Sequence, residues 1–160
     1  MSYDWFIEAK RWIGTTEIPG PRHNSVILNW LKDLKAWWSD DDTPWCGTFV
    51  AYCLKKSNIA PPKNWMRALD YNDVWGDKLD NPVEGCIVTF NRKGGGHVGF
   101  VAGIDKNGNL IVLGGNQNNM VNYATFDTYR VVGYYLPKGY NVQQTLPLFT
   151  TSVDESLSEA

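Results

Sequence analysis

GCIVTFNRKGGGHVGFVAGIDKNGNLIVLGGNQ, residues 85–117, is the stretch on which the reading of the fold turns. Runs rich in Val, Ile and Phe at Gly85–Asn91, His97–Ile104 and Leu110–Leu113 read as strands. Gly94-Gly95-Gly96 separates the first two. Asp105-Lys106-Asn107-Gly108 separates the next pair, and Asn-Gly is a hairpin signature because both residues tolerate positive φ. Connections this short join antiparallel neighbours only. Downstream, Met120–Phe126 and Arg130–Leu136 bring the total to about five strands. Apolar periodicity then ends. Residues 138–160 read as a C-terminal extension that is partly disordered, with an acidic, Ser-rich end at Ser152–Ala160.

Upstream of this stretch the apolar spacing is helical. Residues 3–14 place Trp5, Ala9, Trp12 and Ile13 on one face. Asn24 or Ser25 can cap a second helix that carries Ile27, Trp30, Leu31 and Leu34. A third helix spans Pro44–Lys56, and a short one lies near Trp65–Leu69. Helices first and antiparallel strands after make an α+β domain over residues 1–137, with the helices packed on a small sheet.

The bulk composition removes several function classes. The 160 residues suit one domain, and 43% hydrophobic content can build a core. With 15 Lys+Arg against 17 Asp+Glu, and no basic stripe, nucleic acid is not an expected partner. The N-terminus MSYDWFIEAKRW has no basic stretch followed by an apolar run, so no secretory signal is expected. No segment is long and apolar enough for a membrane anchor. Three cysteines and two histidines, with no CxxC or HExxH, argue against a disulfide framework and a zinc site. Asp40-Asp41-Asp42 lacks the alternating spacing of a calcium loop and reads as a solvated turn, so no metal or other cofactor is expected.

The chemistry concentrates at Asp42-Thr43-Pro44-Trp45-Cys46. Thr43 suits an N-cap and Pro44 the first helical position, which puts Cys46 in the first turn. The free amides and dipole there lower a thiol's pKa and can hold an oxyanion. Cys46 also shares an apolar stripe with Phe49, Val50, Cys53 and Leu54, so a packing role competes with the nucleophilic one. Cys53 and Cys86 read as packing residues. A base is required, and His97 opens a strand after three glycines, with Gly99 leaving room for a helix end to approach. His23, in a Pro/Gly-rich loop, is the rival and more simply a surface residue. An amide should orient the imidazole. Alternation favours Asn116, on the face of Leu110 and Val112; a bulge at Gly114-Gly115 would substitute Gln117. Both amides could also simply serve a turn.

Three blocks, Pro44-Trp45-Cys46-Gly47-Thr48-Phe49-Val50, Gly96-His97-Val98-Gly99-Phe100 and Gly114-Gly115-Asn116-Gln117, together resemble the NlpC-type and CHAP (cysteine/histidine-dependent amidohydrolase/peptidase) families of cell-wall remodelling. Glu17-Ile18-Pro19-Gly20 also looks like the pattern of one branch, rich in phage and prophage lysins. The resemblance covers residues 3–137. It implies a papain-like fold and a monomer that cuts an amide in bacterial peptidoglycan, with Cys46 as nucleophile, His97 as base and Asn116 as orienter. It also implies Trp45, Glu17, Gly96 and Gln117 at the substrate. Within it, a stem-peptide endopeptidase is favoured over an N-acetylmuramoyl-L-alanine amidase, and a phage endolysin, made in the host cytoplasm, over an antibacterial effector. A non-catalytic wall-binding module is the reading from another class. One departure is Gly85-Cys86, where relatives carry Gly-Asp. Some CHAP relatives bind Ca²⁺ through acidic residues before the nucleophile.

Overall fold

The computed structural model of the chain describes residues 2–19, 22–150 and 154–155. Three helices precede the sheet: α1 Asp4–Lys10, α2 Ser25–Asp33 and α3 Cys46–Lys56. A 3-10 turn at Ala68–Asp70 leads into the strands. These are β1 Gly76–Leu79, β2 Ile87–Arg92, β3 Gly95–Ile104, β4 Leu110–Gln117, β5 Met120–Phe126, β6 Val131–Pro137 and β7 Asp154–Glu155. They form one sheet in the order β1-β6-β2-β3-β4-β5-β7, antiparallel throughout except for the parallel pair β5–β7. The α+β class is as expected. The expected five strands become seven, because β1 (GDKL) is a polar edge strand without apolar alternation and β7 is two residues long.

α1 is shorter than the expected span. The chain leaves the helix at Arg11 and turns through Gly14, whose φ of 97° is left-handed. Ile13 therefore lies 44% exposed, and Phe6 joins Trp5 and Ala9 in the core. Asn24 caps α2, its Oδ1 accepting from Val26 N–H at 2.8 Å. In the 105–108 hairpin only Gly108 has positive φ; the Asp105 carboxylate completes the turn by accepting from the amides of Asn107 and Asn109.

α3 is the centre of the molecule. Every residue from Cys46 to Leu54 is buried, as for a helix enclosed on all sides. Phe49 touches Trp30 of α2 on one side and Phe100 of β3 on the other, with ring centroids 5.5 and 6.2 Å away. Gly115 of β4 makes this approach possible: a Cβ there would lie 2.7 Å from Phe49 Cβ and 3.0 Å from the Trp45 ring. Each fully buried side chain of Phe size contributes roughly 1.5–3 kcal/mol, so α3 is held mainly by packing.

Residues 138–150 form an extended strap. Pro147 O accepts from Ile104 N–H at 3.0 Å, and Phe149 N–H donates to Ile104 O at 2.8 Å. Tyr3 Oη donates to Asn141 O at 2.9 Å and accepts from Gln143 N–H at 3.1 Å, so the strap is tied to the start of α1. Of the expected disordered end, Asp154–Glu155 pairs with β5 and the remainder lies outside the described residues. Among the described residues no helix is long and apolar enough to cross a membrane.

Candidate active site

Cys46 is the first residue of α3, with Trp45 as N-cap. This moves the expected helix start by two residues. Thr43 is not the cap; its amide donates to Asp40 Oδ1 at 2.7 Å and closes a turn before the helix. The first intrahelical bond runs from Phe49 N–H to Trp45 O, so the amides of Cys46, Gly47 and Thr48 precede the ladder. Glu17 Oε1 accepts from Trp45 Nε1 at 3.1 Å and holds the cap residue in place. Trp45, expected at the substrate, is 1% exposed and lies beneath Gly115 in the core.

The Cys46 thiol sits against the start of β3, where the Val98 amide, next in chain to His97, donates to it, as does that of Gly47. A lowered pKa was expected for this thiol. Instead, burial pushes it up to about 11, against the pull of those amides and of the nearby Arg92 charge. The enclosed position outweighs the helix end. Cys53 and Cys86 are also buried free thiols, and burial raises both; neither shares the cleft described below.

His97 is wholly buried. Its ring stacks on Phe126 and Phe90, with centroids 5.5 and 6.2 Å away. Nε2 lies 3.0 Å from Gln117 Oε1. The amide of Gln117 has one possible orientation, because its Nε2 donates to Val112 O, Asn122 O and Asn122 Oδ1 at 3.2, 2.9 and 3.0 Å. Oε1 therefore faces the imidazole, the ring proton sits on Nε2, and Nδ1 is the basic nitrogen.

Gln117, where alternation favoured Asn116, is thus an amide hydrogen-bonded to His97. The cause is local backbone geometry. Asn116 adopts φ 57°, and the β4–β5 register shifts between Gly114 and Gln117. Alternation fails there, and Gln117 swings onto the face of Gly114. Gly114 is required: a Cβ would lie 2.3 Å from Gln117 Oε1 and 3.4 Å from His97 Nε2. The room at Gly99 is taken by Val112 and Leu113 of β4, not by a helix end.

A cleft of about 440 Å³ opens over Cys46, between Met66–Asp70 on one wall and Arg92 with Gly94–Gly96 on the other. Gly96 lines it, and a Cβ there would meet Leu69 at 2.6 Å.

Asp41 departs most from the expected solvated turn. It is fully buried, and its Oδ2 accepts from the amides of Ile18 and Asn24, both at 2.8 Å. Its Oδ1 lies 2.9 Å from His23 Nδ1, so His23 is a partner of the loop rather than a bare surface residue. Burial alone would raise the Asp41 carboxyl; the amides and the His23 ring outweigh it and hold it below its ordinary value. His23, Asp41 and Asp42 are the cluster of potential metal ligands among the described residues. They do not fit Ca²⁺, because Asp41 already satisfies three donors and the third group offers nitrogen where that ion takes oxygen.

Residues 38–116 match the family model described as the CHAP domain. The match spans Cys46, His97 and Asn116 and ends one residue before Gln117. Comparison with curated proteins and with solved structures finds no match.

Proposed function

We propose that this chain, which belongs to the CHAP/NlpC-type superfamily of peptidoglycan hydrolases, cuts a stem-peptide amide by thiolate attack from Cys46. The observation that carries the reading is the placement of the Cys46 thiol at a helix start, against the backbone beside His97, with Gln117 fixing the ring from behind. A thiol held near pKa 11 is neutral at pH 7, so its proton must pass to His97 as attack begins. The sulfur bonds to the scissile carbonyl carbon, and the oxyanion is met by the amides at the start of α3. His97 then protonates the departing nitrogen, the C–N bond breaks, and a thioester remains. Water, losing a proton to His97, displaces the thiolate and yields a carboxylate.

The test is mass spectrometry of purified peptidoglycan after digestion. The wild type should release fragments with new amino termini within the stem peptide. Cys46→Ser and His97→Ala should each lose release by at least about a thousandfold, and the double variant should be little worse than either. Whole stem peptides freed from muramic acid would make the enzyme an amidase instead. Sedimentation with cell walls, unchanged by Cys46→Ser and with no release by the wild type, would make it a binding module. A phage endolysin is the proposed setting, because the three motif blocks resemble the lysin-rich branch. Rapid clearing of outer-membrane-permeabilised or Gram-positive cells by the added protein is the expected outcome.

A further inference from the structure

Resting on the peptidoglycan-hydrolase reading, we propose that Arg92 selects the substrate: its guanidinium binds a free carboxylate on the stem residue beside the scissile amide, favouring anionic over amidated stems.

Arg92 ends β2 and lines the same cleft as Cys46. Its Nε donates to Gly96 O at 3.1 Å, which pins the guanidinium plane across the 93–95 turn. The two terminal NH₂ groups remain, a planar fork matched to a carboxylate. Nη2 lies 4.0 Å from where a Cβ on Gly95 would stand, so the glycines leave the fork open. Arg92 is partly buried, yet among the described residues no carboxylate lies within ion-pair distance of it; the pairs found there are Arg11–Glu8 and His23–Asp41. Asp70 lines the opposite wall without closing a pair to it. A partly buried guanidinium without a counter-ion, beside the nucleophile, is a site that gains most from an anionic ligand. Its charge also reaches the Cys46 sulfur, so a carboxylate held there stands next to the reacting bond.

Two carboxylates of a stem peptide have this chemistry, the internal one and the terminal one. Binding is measured by calorimetry in Cys46→Ala, which removes turnover. Three synthetic stem peptides are compared: both carboxylates free, the internal one amidated, and the terminal one amidated. One amidation should weaken binding by about tenfold or more, and which one identifies the carboxylate. Adding Arg92→Gln should bring all three peptides to the amidated level. Arg92→Lys, which keeps the charge without the fork, should retain only part of the preference. Equal affinity for all three peptides, no binding of any, or an unchanged preference in both Arg92 variants would overturn the assignment. Wild-type fragment release is scored separately. Discrimination in binding with no release would leave Arg92 as the reader of a carboxylate and remove the hydrolase reading.

Discussion

At the scale of single residues, the amide–imidazole contact rests on glycine as much as on glutamine. Gln117→Ala removes the acceptor of His97 Nε2, and turnover should fall by about ten- to a hundredfold with KM nearly unchanged. Asn116→Ala should be milder in kcat and instead cost stability, because Ala is strained at φ 57°. Gly114→Ala should match Gln117→Ala, since its methyl would occupy the place of Gln117 Oε1. Steady-state kinetics on the three variants separates these outcomes. The proposed nucleophile has its own signature in pH. With the thiol raised to about 11, His97→Ala should react with iodoacetamide appreciably only as pH climbs toward that value, while the wild type, with His97 as the proposed proton acceptor, should react at lower pH. The helix start at Cys46 was legible because it is a local feature, and the strand of His97 was legible too, although it begins at Gly95, two residues before the expected opening at His97. The choice between Asn116 and Gln117 was not, since period-2 alternation carries no mark of the residue at which it fails. The Gly114-Gly115-Asn116 run, three residues tolerant of unusual backbone, was the available signal.

At the scale of elements, the loop before α3 is fastened by Asp41 to the segment that carries Glu17, and Glu17 fastens Trp45. Asp41→Asn turns a donor toward amides that need acceptors, and roughly 1–3 kcal/mol of stability should be lost for each amide left unmet. The His23–Asp41 contact depends on pH with a definite sign. Its hydrogen bond to Asp41 raises the His23 pKa above 6.5, so its contribution is full below that value and is lost as pH rises through the higher folded value. Asp41, held low, contributes above its ordinary carboxyl range and loses its contribution in acid. The difference in melting temperature between wild type and His23→Asn should therefore be largest between about pH 4 and 6.5 and should shrink above it. A difference that grew with alkalinity would contradict this linkage. None of this was readable from Asp40-Asp41-Asp42, where three like residues look alike and only folding selects the middle one for burial.

At the scale of the whole molecule, helices before strands was legible because the switch from helical to alternating spacing is a property of each segment alone. The strap was not, because residues 138–150 have no period of their own and gain order from Ile104, Gly103 and Tyr3. Gly103 admits it: a Cβ there would lie 2.7 Å from Pro147 O. A chain ending at Thr150 should keep a cooperative melt, whereas one ending at Pro137 should lose several degrees or more of melting temperature as the Tyr140–Trp5 and Phe149–Tyr123 contacts go. Equal melting of the two truncations would show the strap to be energetically idle.

The tie between Tyr3 and Asn141 spans 138 positions, so its two halves are made well apart in time. A ribosome adding about 5–20 residues per second releases α1 several seconds before the strap that will cover it. Throughout that interval Trp5 lacks its Tyr140 neighbour, and the emerging chain must keep that surface from straying. Closure therefore follows synthesis of the strap, and refolding from denaturant should show a late step, reported by tryptophan fluorescence, that vanishes when the strap is removed.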